Sequence, residues 1–188
     1  MLRLTLASVH SLALSPLCAS CPQGRAGCCA APPAVAWADI GRIILLGGRA
    51  FLLDEIKAGR LRPSKRGLSI LRVPENVDFP ARCTYLGPKG CVLEPSKRSS
   101  TCNHYLCEDA LTLAESEGDP NAAIARNVTD NLAGILGRFD LQLEELIDES
   151  FPEGAPFDEA FFDWIAKQTD SLVKQQKRAL GSRLSRSG

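Results

Sequence analysis

Apolar residues recur along the C-terminal half at Ile124, Val128, Leu132, Ile135, Phe139, Leu143 and Leu146. Steps of three and four place them on one face of a helix. Asp119-Pro120 supplies a start signal, an acidic N-cap followed by proline in the first turn, and Pro152 sets the end. Gly134 and Gly137 lie inside this segment. Each weakens a helix by about 1 kcal/mol relative to alanine, which predicts close packing or a kink there. A last helix is expected from about Phe157 to Leu180. Asp158 and Glu159 sit in its first turn and Lys177 and Arg178 in its last, as the helix dipole favours.

Upstream, Val35, Ile40, Ile43 and Ile44 give Val35–Leu46 an apolar helical face, closed by Gly47-Gly48. A second helix is expected from Arg49 to Ala58, with Phe51, Leu52 and Ile56 inward and Gly59 as its stop. A short helix is expected over Cys107–Glu115. Leu68–Val73 alternates weakly and reads as a strand, and Pro74 and Pro80 frame a loop after it. Cys83–Leu86 and Cys91–Leu93 flank Gly87-Pro88-Lys89-Gly90, the pattern of a β-hairpin that brings Cys83 and Cys91 near one another. The expected fold is α+β, mostly α: a small cysteine-rich metal core with a short hairpin, packed by helices. Residues 1–110 form the cysteine-cluster metal-binding domain, 111–181 a helical extension packed on it, and 182–188 a Ser/Arg-rich disordered tail.

Composition changes this picture little. The chain has 188 residues, 45% hydrophobic and 23% charged, enough for one core. No apolar run reaches the ~18 residues that cross a bilayer. Arg3 followed by Leu4–Leu17 resembles a short signal peptide but lacks a small-x-small cleavage site, and a cut near Ser20 would remove Cys18. An N-terminal strand or short helix leading into the first cysteines, in a cytoplasmic protein, is expected instead. Net charge is zero, yet residues 1–100 hold 14 Lys/Arg against 6 Asp/Glu and residues 101–188 hold 8 against 16. The two halves complement each other, or the basic half frames an anionic thiolate centre. The basic residues are scattered and have few aromatic residues among them, which argues against nucleic acid as a partner.

The eight cysteines carry the candidate chemistry. They fall in two groups: Cys18, Cys21, Cys28 and Cys29 (C-x2-C-x6-C-C), then Cys83, Cys91, Cys102 and Cys107 (C-x7-C-x10-C-x4-C). A C-x2-C step lets two sulfurs reach one ion about 2.3 Å away. Pro22, Gly24 and Gly27 supply the turns. Eight is an even number, as a disulfide framework needs, but such scaffolds are usually shorter and denser in cysteine. Zinc in one or two four-cysteine sites and an iron–sulfur cluster are the two metal readings. In an extended segment Cys28 and Cys29 point to opposite faces, so they would not join around one small ion. Either the eight divide between two centres or one thiol, Cys29, is spare and available as a nucleophile. The spacing is not a standard ferredoxin run.

Cys18-x-x-Cys21, Cys28-Cys29, Pro33 and Asp39-Ile40-x-Arg42-Ile43, followed by Cys83-x-x-Leu86, Gly90-Cys91-x-Leu93-Glu94, Cys102 and Tyr105-x-Cys107, resemble the bacterial cysteine-cluster family described as zinc- or iron-chelating. The similarity covers about residues 15–110. Two positions depart from the family pattern: Arg98-Ser99 stands where Arg-Pro is usual, and Asn103 stands where an arginine often follows the third late cysteine. Relatives of that family include flagellin lysine N-methylases, linked to an iron–sulfur cluster. The resemblance therefore implies an iron–sulfur cluster in preference to zinc, a redox or cluster-dependent role, and an unknown protein or redox partner. An iron–sulfur-dependent protein N-methyltransferase and a structural zinc protein are the alternatives. No Gly-rich nucleotide loop follows a strand.

Among other residues, His104 lies between Cys102 and Cys107 and is either a ligand or sulfur hydrogen-bond donor, or a satisfied histidine. His10 is expected to be structural. Asp39 and Arg42 form either a helix-start cap with a cation behind the metal, or an exposed i, i+3 pair.

Overall fold

The computed structural model describes residues 1–5, 11–21, 27–77 and 81–184, with side chains except at Asp130 and 178–184. Its centre is a short helix, α1 (Trp37–Leu45), buried from Trp37 through Ile44. Two turns of helix cannot hold themselves in water, so α1 is held by what surrounds it. The wall on one side is α6 (Glu159–Leu184), which presents Phe161, Phe162, Ile165 and Thr169. The two helices cross at Gly41, where a Cβ would meet the Thr169 Oγ1 at 1.9 Å. Helix α5 (Ala122–Ser150) closes the same core with Leu136, Phe139, Leu143 and Ile147. Trp37, Phe151, Phe157, Phe161 and Trp164 pack ring to ring at 5.1–6.1 Å between centroids, geometry worth about 0.5–1.5 kcal/mol per pair beyond area burial.

The helix ends follow the local chemistry. At the end of α1, Gly47 takes φ +84°, and the Gly48 and Gly47 N–H groups donate to the Ile43 and Ile44 carbonyls, a Schellman closure. α2 (Arg49–Lys57) begins at once and ends the same way at Gly59. Among the described residues, four two-stranded antiparallel ladders accompany the helices: β1 (Arg3–Thr5) with β2 (Leu12–Leu14), β3 (Leu61–Ser64) with β4 (Gly67–Ile70), β5 (Arg72–Val73) with β6 (Arg82–Cys83), and β7 (Leu86–Gly87) with β8 (Gly90–Cys91). Two short helices follow, α3 (Ser100–His104) and α4 (Glu108–Ser116). The protein is thus mostly α with small antiparallel sheets. Among the described residues, no helix is long and apolar enough to cross a membrane.

The described residues form two cores. The main one joins α1, α2, the β3–β4 ladder, Cys83 and Tyr85 to α5 and α6. The second is small: Leu2 and Ala13 of the N-terminal hairpin pack on Leu106, Ala110, Leu111, Ala114, Ala122 and Ala125. Asp119 stitches this second core by accepting from the Leu2 N–H and, at 2.9 Å, from the Asn121 N–H. Asp119-Pro120 therefore forms the turn before α5, and the helix proper starts at Ala122.

Several expectations change. α5 runs unbroken through Gly134 and Gly137, and a Cβ at Gly137 would meet nothing within 4 Å, so close packing is not what placed that glycine. The expected strand Leu68–Val73 divides between two ladders. Its partner β3 contains Pro63, a residue that argues against a strand except at an edge. Cys83 pairs with Arg72, outside the β7–β8 hairpin that holds Cys91. The last helix extends to Leu184. His10, Pro22, Gly24, Pro80 and residues 185–188 lie outside the described residues.

Candidate metal centre

Six short pieces of chain supply the eight cysteines. Cys18 rides on a 3-10 turn, Pro16–Ser20, capped by the Ser15 hydroxyl, which accepts from the Leu17 N–H at 3.2 Å; Cys21 ends that turn. Cys28 and Cys29 occupy a tight turn closed by the Ala30 N–H on the Gly27 carbonyl at 2.8 Å. Cys83 ends β6 and Cys91 ends β8. Cys102 lies in α3, its N–H on the Ser99 hydroxyl at 3.3 Å, and Cys107 is the residue before α4. All eight are free thiols.

Two hollows sharing a wall collect them all. The first, about 260 Å³, is lined by Cys18, Cys21, Cys28, Cys29 and Cys107. The second, about 240 Å³, is lined by Cys18, Cys28, Cys29, Cys83, Cys91 and Cys102. Pro33, Thr101 and Tyr105 line both. Lys89 and Arg98 bring positive charge to the second. Among the described residues, no three Cys, His, Asp or Glu side chains are set to hold a metal ion as they are.

Cys28 and Cys29 do not diverge as an extended segment would require. The turn folds them toward the same hollows and leaves their side chains hydrogen-bonded to each other. The Cys29 thiol, with burial and the Cys29 backbone N–H acting in opposite senses, holds Cys28 at a pKa of about 6. Cys29 itself is pushed up by that bond and by burial. The other shifts run upward. Burial raises Cys18 and Cys83 and pushes Cys102 up to about 11, and neighbouring thiolates add to each. Ionising Cys18, Cys83 and Cys102 together calls for a positive charge among them. The donor set therefore fits a cationic, sulfur-seeking group: thiolate is the ligand of zinc and of iron–sulfur clusters.

Behind the thiols stands a buried polar frame. The Asp39 Oδ1 accepts from the Ser100 N–H at 2.7 Å and from the Arg42 guanidinium at 3.3 Å, while burial pushes its carboxyl up against both partners. Arg42 also donates to the Arg98 carbonyl. Both side chains are 3% exposed or less, so this is not a surface pair. It pins the start of α3, and with it Cys102, to α1. Arg98 donates to the Leu93 carbonyl at 2.7 Å and the Cys91 carbonyl at 3.3 Å. Asn103 donates to the Pro95 carbonyl at 2.8 Å. Glu55 accepts from Arg60 at 2.6 and 2.7 Å and from the Tyr85 hydroxyl at 2.6 Å; Arg60 first, then Tyr85, holds its carboxyl below the usual range. Tyr85 in turn gives its N–H to the Cys83 sulfur at 3.5 Å.

His104 lines neither hollow. It is 5% exposed, donates to the Ser100 backbone and is lowered by burial, which makes it a satisfied buried histidine. The residue that sequence reasoning left without a role is Tyr105. It is half exposed and stands on the wall common to both hollows; its place between Cys102 and Cys107 was the available signal. Comparison with protein-family models, curated proteins and solved structures returned no match.

Proposed function

We propose that this protein binds a cysteine-ligated inorganic centre, an iron–sulfur cluster in preference to zinc, and serves a redox or cluster-dependent role in the cytoplasm with an unknown protein or redox partner. The observation that carries the proposal is the gathering of all eight cysteines, from segments up to 89 positions apart in sequence, around two joined hollows. A hydrophobic core does not need this. Lone buried cysteines scatter as small apolar residues, and four of these eight are exposed. Hollows lined on several sides by sulfur favour a polynuclear group over a single small ion, because a lone zinc needs four sulfurs within about 2.3 Å of one point. When bound, an iron–sulfur cluster would supply one-electron chemistry at potentials set by burial and by hydrogen bonds to its sulfurs. Lys89 and Arg98 beside the second hollow would offset its negative charge.

Anaerobic purification, absorption spectra and metal analysis test this. Brown protein absorbing broadly near ~400 nm with stoichiometric iron supports the cluster. Colourless protein with one or two zinc ions, unfolding in chelator, replaces it with structural zinc. Four disulfides in protein prepared without oxidant defeat both.

A further inference from the structure

The two cysteine groups of the sequence are not the two groups of the fold. Cys107, last of the late group, lines the first hollow with Cys18 and Cys21 and is absent from the second. Cys83, Cys91 and Cys102 line the second and are absent from the first. A smaller hollow beneath also holds Cys83, Cys91 and Cys102 and no other cysteine.

The packing divides the same way. Cys107 and Leu17, the neighbour of Cys18, pack on the small N-terminal core. Cys29, Cys83 and Cys91 pack on the main core. The backbone agrees: the Cys83 N–H donates to the Cys29 carbonyl at 2.6 Å, which ties Cys29 to the late group. Cys18 lines both hollows, and the 3-10 turn that it shares with Cys21 joins it to the first set. That leaves Cys28, next to Cys29 and on the wall of both hollows, to complete the first set. Each set then has four sulfurs, the number that closes a zinc or iron–sulfur site.

We infer that the chain holds two four-cysteine metal centres whose membership crosses the sequence groups: Cys18, Cys21, Cys28 and Cys107 in one, and Cys29, Cys83, Cys91 and Cys102 in the other. The inference rests on the metal-binding proposal. It makes Cys28-Cys29 a junction, in which adjacent residues serve different centres and a single peptide unit separates them. It also gives the first centre a structural task, since its ligands join the N-terminal segment to the start of α4.

Protection of the thiols from alkylation, read cysteine by cysteine by mass spectrometry on anaerobically purified, metal-loaded full chain, tests the division, with zinc or iron counted on the same sample. Cys21→Ser is the first variant, because Cys21 is exposed and the fold does not lean on it. It is expected to halve the metal content and to open Cys18, Cys28 and Cys107 together, leaving Cys29, Cys83, Cys91 and Cys102 protected. Cys29→Ser is expected to do the reverse. If Cys21→Ser opens Cys29 and leaves Cys107 protected, the centres follow the sequence and the inference is overturned. If either variant opens all the cysteines and empties the chain of metal while its helical circular dichroism is unchanged, there is one centre, and the inference again fails. Wild-type protein without metal, with all eight thiols open to alkylation, overturns the metal-binding proposal itself.

Discussion

The Cys83 N–H donates to the Cys29 carbonyl at 2.6 Å, joining a turn near the N-terminus to the end of a β-strand 54 positions later. This bond brings the early and late cysteines into one site. It also fixes the turn in which Cys28 and Cys29 face the same hollows.

The Cys28–Cys29 contact has a measurable consequence in metal-free protein. Cys28 is lowered to about 6, with the Cys29 thiol as the largest cause. Its alkylation should therefore reach half its maximal rate at a lower pH than that of an ordinary thiol. Cys29→Ala removes the donor and should move the half-point of Cys28 up by about one unit or more, toward the ordinary thiol range. An unmoved pH profile would mean that the backbone donors alone set the value.

Asp39 is buried and neutralises Arg42, and it holds the first N–H of α3. Asp39→Ala leaves the guanidinium buried without its carboxylate, a loss of about 3–5 kcal/mol. Denaturant unfolding of the purified variant should show it as a large drop in midpoint. Exchange of the amide hydrogens in α3 should rise, because the Ser100 N–H loses its acceptor.

The glycines of α1 and α5 should answer alanine oppositely. A Cβ at Gly41 would overlap Thr169, so Gly41→Ala forces α1 from α6 and should cost about 1–3 kcal/mol. Gly137 faces open space in the middle of a helix, so Gly137→Ala should stabilise by about 0.5–1 kcal/mol. Thermal melts of the two variants beside wild type would separate them in opposite directions.

Asp140 predicts a pH effect. Burial, then the charges of Asp39 and Glu144, push its carboxyl up to about 6, against the Ala38 N–H that it accepts at 2.8 Å. An unfolded aspartate titrates near 3.9, so between about pH 4 and 6 the folded state binds the proton more tightly. The contribution of Asp140 to stability falls as pH rises through that window and stays lost above it. Asp140→Asn keeps an oxygen for the Ala38 N–H without the charge. It should be more stable than wild type by on the order of 2 kcal/mol at about pH 7.5, with no advantage at about pH 4. Equal stability at both pH values would show that the buried charge is solvated.

Most of the helices were legible because their signals are local. Gly47 and Gly59 close α1 and α2 with bonds that reach back only a few residues, and the apolar stripe of α5 repeats over 29 residues. α3 was not legible, since five residues are too few to show a period. Nor was β3, where Pro63 lies in a two-stranded ladder with β4, so the missing N–H costs no second strand a bond. The burial of Asp39 and Arg42 was equally hidden: charged residues on a helix are usually at the surface, and what covers them is α3, from about 60 positions further on.

For the candidate site, the sequence by itself determined the donors: eight cysteines, their spacing and their chemistry toward soft cations. It also carried the turn residues around Cys91. Which cysteines face one another was decided only by tertiary structure. Spacing along the chain limits how far apart two sulfurs can be, but it does not choose between partners that long-range packing brings equally close. Here the small N-terminal core carries Cys107 to the first hollow, and the backbone hydrogen bond from Cys83 to Cys29 ties Cys29, on the wall of both hollows, to the cysteines of the second. A tight turn overrides the opposite-face alternation that adjacent residues would show in an extended strand.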